Sequence, residues 1–317
     1  YKNVTFYHEK MKALGVEPGD IKGVEDIDKL PFTTKEDLRE NYPFGLLAVP
    51  KSQVARVQGT SGTTGKLTLA SYTQSDVDLW GRVCGKMSYD GRTYRGRYYT
   101  CLLWLWSVYR SLDWIWSKSA RGNGDSDVCR QYKASDDVYG RFWSDSNRMY
   151  TVLCTSFGRI TSGSRTCKKN WKLKAGILGA EPWTVEMRQK IENILGINCF
   201  DIYGLCEIMG PGVAFECIHH NGLHIFEDHF YPEILDPATG KACADGETGE
   251  LIFTTLTKEA MPLLRYRTKD LTSIDHSTCA CGRTLPRISK IQRTYRRHES
   301  HSWCQCVPNS GGNCTFK

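Results

Sequence analysis

The chain has 317 residues, 24% charged and 40% hydrophobic, with a net charge of +7. That length buries a sizeable core and accommodates two domains, and no apolar run approaches the ~20 residues of a membrane span. No secretory signal is visible and the first residue is Tyr1 rather than Met, so a fragment without a membrane partner is expected.

The positive charge does not indicate a nucleic-acid partner, because it is confined to two segments. Residues 91–172 carry 15 Lys/Arg against 6 Asp, residues 293–317 carry four basic residues against one acid, and the remainder balances at −5. The 14 cysteines, in a chain this long without a signal, fit a reducing compartment, and a cytoplasmic location is expected.

Residues 1–90 have ordinary globular composition. Thr33 and Glu36 have capping-box spacing ahead of KEDLREN and predict a short helix. The stretch GTSGTTGK, Gly59 to Lys66, carries the clearest chemistry. Its glycines allow close backbone approach and an anion-binding nest of N–H groups, while the hydroxyls and Lys66 add donors and positive charge. It departs from the usual P-loop, since five residues separate Gly59 from Gly65 and Leu67 follows Lys66. A Gly/Ser/Thr-rich loop is otherwise most often a flexible turn.

Residues 91–172 hold six of the nine tryptophans yet no Glu, Pro or His. Average usage of roughly 5–6% would give about four Glu and four Pro there. The tail from Arg293 has no core pattern either. The expectation is that both segments are translated out of frame. Cys101 to Arg110, CLLWLWSVYR, can be written in codons chosen so that the frame one base on reads VSYGYGLFTG, and His301 to Gly312 can likewise be written to give IRGVNVFPIQV, which is compatible with a shifted frame.

Residues 173–292 again read as protein with a core. AGILGAEPW predicts a strand leading into a loop, and Thr184 is placed to cap a helix VEMRQKIENIL that Gly196 ends. VAFECIHHNGLHIFED has an Asn221-Gly222 turn between strand-like runs, and GETGELIFTTL predicts a turn and a buried strand. The elements together indicate a mixed α/β chain.

Four motifs in order carry a family resemblance: RVQGTSGTTGKLT, LGAEPW, DIYGLCEIMGPG and LLRYRTKDL, beginning at Arg56, Leu178, Asp201 and Leu263. The chain resembles a phenylacetate–coenzyme A ligase of the adenylate-forming superfamily over residues 1–90 and 173–292. The resemblance implies an N-terminal adenylation domain of layered sheets and helices, a β-rich section near 213–290, and a small C-terminal domain that is absent. It assigns an anomalous segment at 91–172 in place of the aromatic-acid pocket and an anomalous tail at 293–317 in place of the hinge.

In the family's reaction a carboxylate attacks the α-phosphate of ATP to give an acyl-adenylate and pyrophosphate, and the coenzyme A thiol then displaces AMP to give the thioester. By resemblance, Thr60, Ser61, Gly62, Thr63, Thr64 and Lys66 line the phosphates, and Lys66 and Glu207 are the catalytic candidates. Glu207 is also the Mg²⁺ ligand, and Gly179, Ala180, Glu181, Asp201, Tyr203, Gly204 and Asp270 complete the nucleotide set. Tyr203 is placed against adenine and Asp270 on the ribose hydroxyls. Cys206 stands where the family has a small hydroxyl residue, and Lys269 replaces a Gly or Arg. With the pocket and hinge displaced, the chain as written is expected to bind ATP weakly or not at all and to lack turnover.

Cys279 and Cys281 lie close enough for two thiolates to share an ion, and Cys217 and His224 flank the Asn-Gly turn. A Cys₃His zinc site and a set of buried free thiols are both open at this point. His219 and His220 are expected at the turn, in solvent. The implied partner is a small aromatic carboxylate, with a homodimer as a further expectation. The alternatives are a related adenylating synthetase for another acid and a non-enzymatic zinc-bearing protein.

Overall fold

The computed structural model describes residues 1–60, 68–88, 99–101, 173–179, 183–195 and 197–294, with two short strands at 307–308 and 314–315. An N-terminal helix α1 (Thr5–Ala13) buries Tyr7 and Met11, and α2 (Lys35–Glu40) follows. The cap of α2 sits one residue beyond the predicted one. Thr34 Oγ1 accepts from the Asp37 amide at 3.2 Å, and Asp37 accepts in return from the Thr34 amide at 2.8 Å. TTKED offers two registers, and Thr33 is taken elsewhere. Its hydroxyl donates to the Leu264 carbonyl at 2.7 Å, and its backbone bridges Tyr266.

Strands β1 (Arg56–Thr60) and β2 (Thr68–Tyr72) form an antiparallel pair flanking the Gly/Ser/Thr-rich loop, and α3 (Gln74–Ser88) follows directly. Next come β3 (Tyr99–Cys101), β4 (Leu173–Gly179) and α4 (Val185–Leu195). Thr184 does cap α4, accepting from the Met187 amide at 3.2 Å, while Gly196 lies outside the described residues.

The motif DIYGLCEIMGPG becomes a hairpin of β5 (Asn198–Leu205) and β6 (Gly210–Glu216). The expected second hairpin pairs β6 with β7 (Leu223–Ile225), and Gly222 takes the left-handed φ of 83° that its turn requires. β8 (Phe230–Leu235), the fully buried β9 (Gly249–Thr255) and β10 (Tyr266–Thr272) follow, then β11 (Ile274–Asp275), β12 (Arg287–Ile288) and β13 (Arg293–Thr294). The β-rich section expected near 213–290 is therefore present.

Two sheets organise these strands. A mixed sheet runs β11-β12-β7-β6-β5-β4-β3, with β3, β4 and β5 parallel and the rest antiparallel. An antiparallel sheet runs β13-β10-β9-β8. One apolar core joins them, including Trp80 and Tyr72 from the N-terminal part and Ile208, Met209, Phe230, Phe253 and Leu263 from the later part. Trp80 is fully enclosed, stacked on Tyr72 with centroids 5.6 Å apart and donating from Nε1 to the Pro211 carbonyl at 2.8 Å. Its indole N–H thereby escapes the cost of burial without a partner.

The N-terminal segment is tied to the second sheet by buried polar contacts. Arg265 donates from Nε and Nη2 to Glu233 at 3.1 and 2.7 Å and from Nη1 to the Asp28 carbonyl at 2.8 Å. The Tyr7 hydroxyl reaches Thr33 Oγ1 at 3.0 Å. Chain segments more than 230 residues apart thus share one core.

Candidate active site

Glycine decides the geometry where β4, β5 and β6 meet. A Cβ on Gly179 would lie 2.3 Å from the Ile202 carbonyl, and one on Gly204 would lie 1.9 Å from the Gly210 carbonyl. Both positions exclude any side chain, which lets the LGAEPW and DIYG motifs approach edge to edge. Tyr203 then projects toward β10, where its hydroxyl donates to Asp270 Oδ2 at 2.7 Å. Burial, then the adjacent Asp270 carboxylate, push the Tyr203 phenol well above its ordinary range.

Asp270 is set by an irregularity in β10. The register to β9 shifts between Arg267 and Leu271, Lys269 takes φ 64°, and the Asp270 amide donates to Thr268 Oγ1 at 3.0 Å. The left-handed turn explains why glycine suits position 269; Lys269 adopts it with its amide donating to Glu250 at 3.1 Å. Asp201 lies at the other end of the site, its amide donating to Glu216 Oε2 at 2.9 Å. Burial raises the Asp201 carboxyl, and the nearby Glu216 charge adds to the rise.

Glu207 sits in the turn between β5 and β6, only 4% exposed, with Oε1 3.2 Å from Lys35 Nζ. A single carboxylate suits Mg²⁺, which is ordinarily held by one or two carboxylates plus substrate phosphates. Cys206, where a hydroxyl was expected, lies 3.7 Å from Gln58 Nε2, and its carbonyl accepts from the Tyr72 hydroxyl at 2.7 Å. The structure thus brings Gly179, Asp201, Tyr203, Gly204, Glu207 and Asp270 into one region. Thr60 is the last residue of β1, and Ser61, Gly62, Thr63, Thr64, Lys66, Ala180 and Glu181 lie outside the described residues.

A second constellation lies where the turn after β6 meets the segment between β11 and β12. The ligand atoms of Cys217, His224, Cys279 and Cys281 all fall within 4.8 Å of one another. Cys217 Sγ is 3.7 Å from Cys279 Sγ, and Cys281 Sγ is 3.6 Å from His224 Nε2. A disulfide needs sulfurs about 2.05 Å apart, so these are free thiols. Tetrahedral zinc, with Zn–S near ~2.3 Å, has edges of about 3.8 Å, which the separations match. His224 Nδ1 faces the Leu285 carbonyl at 3.4 Å, leaving Nε2 turned to the thiols. Burial lowers His224 to about 4, and burial first raises the Cys217 thiol to about 12. His219 and His220 are exposed, as expected at the turn, and His220 also stacks on Phe200 and contacts Glu216.

No family model matches the chain. Comparison with individual proteins is decisive. Phenylacetate–coenzyme A ligases of Aromatoleum evansii and Pseudomonas putida are 42% and 40% identical to it over 301 residues, covering 92% of this chain and 66% of each relative. The Escherichia coli K12 enzyme of that name is 40% identical over 301 residues, with 67% of its length covered. The chain belongs to the phenylacetate–coenzyme A ligase family. It spans about two thirds of the length of these relatives. A crystal structure of 2-hydroxyisobutyryl-CoA ligase in an open conformation, holding 2-HIB-AMP and CoA, superposes with a TM-score of 0.73. At 22% identity over 90% of this chain and 69% of that one, it establishes the fold of an adenylate-forming CoA ligase.

Three residues around the ligase-family site escaped the sequence reading. Lys35, Tyr72 and Lys258 all touch the Cys206–Glu207 turn. None belongs to a recognisable motif, and Lys258 in particular reads as a solvated charge in TLTKEA. Burial lowers the Lys258 ammonium to about 8, opposed by the charges of Asp76 and Glu207. Gln58 is also buried beside this turn, with Oε1 lacking a hydrogen-bond partner among the described residues. Among the described residues no helix is long and apolar enough to cross a membrane.

Proposed function

We propose that this protein activates an aromatic carboxylate, phenylacetate foremost, with ATP and transfers the acyl group to coenzyme A. The observation that carries the proposal is the Tyr203–Asp270 pair at 2.7 Å, with the nearly buried Glu207 four residues along the same hairpin. A fixed phenol face suits adenine stacking, and the remaining acceptor capacity of a carboxylate suits ribose hydroxyls. Glu207 would hold Mg²⁺, which would neutralise charge developing on the phosphates. Lys35 lies within reach of the same carboxylate and would compete for it until the metal arrives. Thr60 to Lys66 would supply the backbone donors for the phosphates.

Coenzyme A-dependent AMP release with phenylacetate, in protein from a base-counted coding sequence, tests this reading. Release with a different acid alone would identify a related adenylating synthetase, and no nucleotide binding would favour a non-enzymatic protein. The proposal includes out-of-frame translation of residues 91–172 and 293–317, and base counts at both ends of each segment check it directly. If the bases stand, that part is wrong.

A structural zinc ion in the Cys217–His224–Cys279–Cys281 set is the second part of the proposal. It is favoured by thiol and imidazole separations of 3.6 and 3.7 Å, which fit one tetrahedral ion. Elemental analysis of purified protein should give one zinc per chain, falling to near zero in Cys279→Ser. A homodimer is also proposed, and sedimentation velocity decides it.

A further inference from the structure

The Lys258 side chain is only 5% exposed, an unusual placement for an ammonium. Its Nζ donates to the main-chain carbonyl of Glu207 at 2.7 Å and lies 4.6 Å from the centroid of the Tyr72 ring. Tyr72 in turn donates its hydroxyl to the carbonyl of Cys206 at 2.7 Å. Two successive carbonyls of the turn are therefore held by two side chains that also pack on each other.

The clamp is itself anchored. Asp76, near the start of α3, accepts from the Glu259 amide at 2.7 Å and the Ala260 amide at 2.9 Å. Thr73 donates to Glu259 Oε2 at 2.9 Å. The segment carrying Lys258 is thus fastened to the residues that follow β2, the strand leaving the Gly/Ser/Thr-rich loop. On the partner strand, Gln58 reaches Cys206 two residues before β1 ends at Thr60. One set of contacts therefore couples both strands of the loop to the turn bearing Glu207.

Burying an ammonium is costly even with the Asp76 and Glu207 charges nearby, and an apolar residue of similar length would fill the same space at less cost. A cation kept there, spent on a backbone carbonyl beside the only acid of the turn, indicates a use beyond packing. We infer that Lys258 is a positioning residue: through the Glu207 carbonyl, and with Tyr72 on the Cys206 carbonyl, it fixes the Glu207 carboxylate for the Mg²⁺-bound nucleotide. The inference rests on the ligase reading given above. Lys258 itself touches no reacting atom in this account.

The test is calorimetric titration of ATP into the 317-residue chain, its Lys258→Met variant and its Tyr72→Phe variant, each in MgCl₂ and in EDTA. Methionine matches lysine in length and suits a buried slot, and thermal melts report whether each variant folds. The unaltered chain should bind ATP more tightly with Mg²⁺ than without. In Lys258→Met the affinity in EDTA should stay within about twofold, while the Mg²⁺ enhancement should fall by about tenfold. Tyr72→Phe should show the same selective loss, and it decides the matter if Lys258→Met fails to fold. An undiminished Mg²⁺ enhancement in a folded variant overturns the positioning role and leaves the ligase reading standing. Absence of ATP binding both to the unaltered chain and to protein from a base-counted coding sequence overturns both.

Discussion

The two ends of strand β6 are secured by different chemistry. At the Gly210 end, the turn bearing Glu207 is closed by donors from Tyr72 and Lys258 to successive carbonyls, within a core built around Trp80. At the Glu216 end, Cys217 meets Cys279, Cys281 and His224, four groups with lone pairs converging on a common centre. The first end is satisfied by the chain's own hydrogen bonds. The second is three thiols and an imidazole at the spacing of metal ligands. The proposed substrate site thus belongs to an end the protein stabilises by itself, and the proposed ion belongs to an end that ties together the turn after β6 and the segment between β11 and β12.

The largest effect should come from breaking the second end. Chelation of zinc from the purified protein, or Cys279→Ser, should lower the melting temperature by about 10 °C, since structural zinc contributes directly to folding free energy. A melt unchanged by chelator would reduce that end to buried thiols. Breaking the first end at its tightest point should cost nearly as much. Gly204→Ala places a methyl against the Gly210 carbonyl and should destabilise by about 3 kcal/mol, measured by urea unfolding.

Smaller changes sharpen the contrast. Tyr72→Phe leaves the Cys206 carbonyl without its donor and should cost about 1–2 kcal/mol, without altering zinc content. Thr34→Ala removes the α2 cap, far from the cysteine cluster, and should cost about 1 kcal/mol, again with zinc retained. Zinc loss in either variant would mean that the two ends are not energetically separate.

The parts legible in the sequence were those in which local chemistry determines structure. The buried run of β9, the Asn-Gly hairpin and the Thr184 cap each follow from neighbouring residues alone. The motif glycines Gly179 and Gly204 were legible too, and the structure adds the reason, a backbone approach that excludes a Cβ. The α2 cap was misplaced by one residue because Thr33 and Thr34 are equivalent locally; only the distant Leu264 carbonyl claims Thr33. Lys258 and Tyr72 were invisible for the same reason. Their partners lie 51 and 134 residues away, and nothing near Lys258 signals that its charge is buried. The Cys₃His set was legible as residue types, but the shared centre required the fold to bring Cys217 and Cys279 together across 62 residues.

The central claim is that Tyr203, Asp270 and Glu207 form a nucleotide site. Titration of Mg²⁺–ATP into the chain and into Asp270→Ala tests it most directly. The account predicts weak but measurable binding to the chain and affinity at least about tenfold lower in the variant, from loss of the ribose contacts. Equal affinity in the two proteins, or no binding by protein from a base-counted coding sequence, would contradict it.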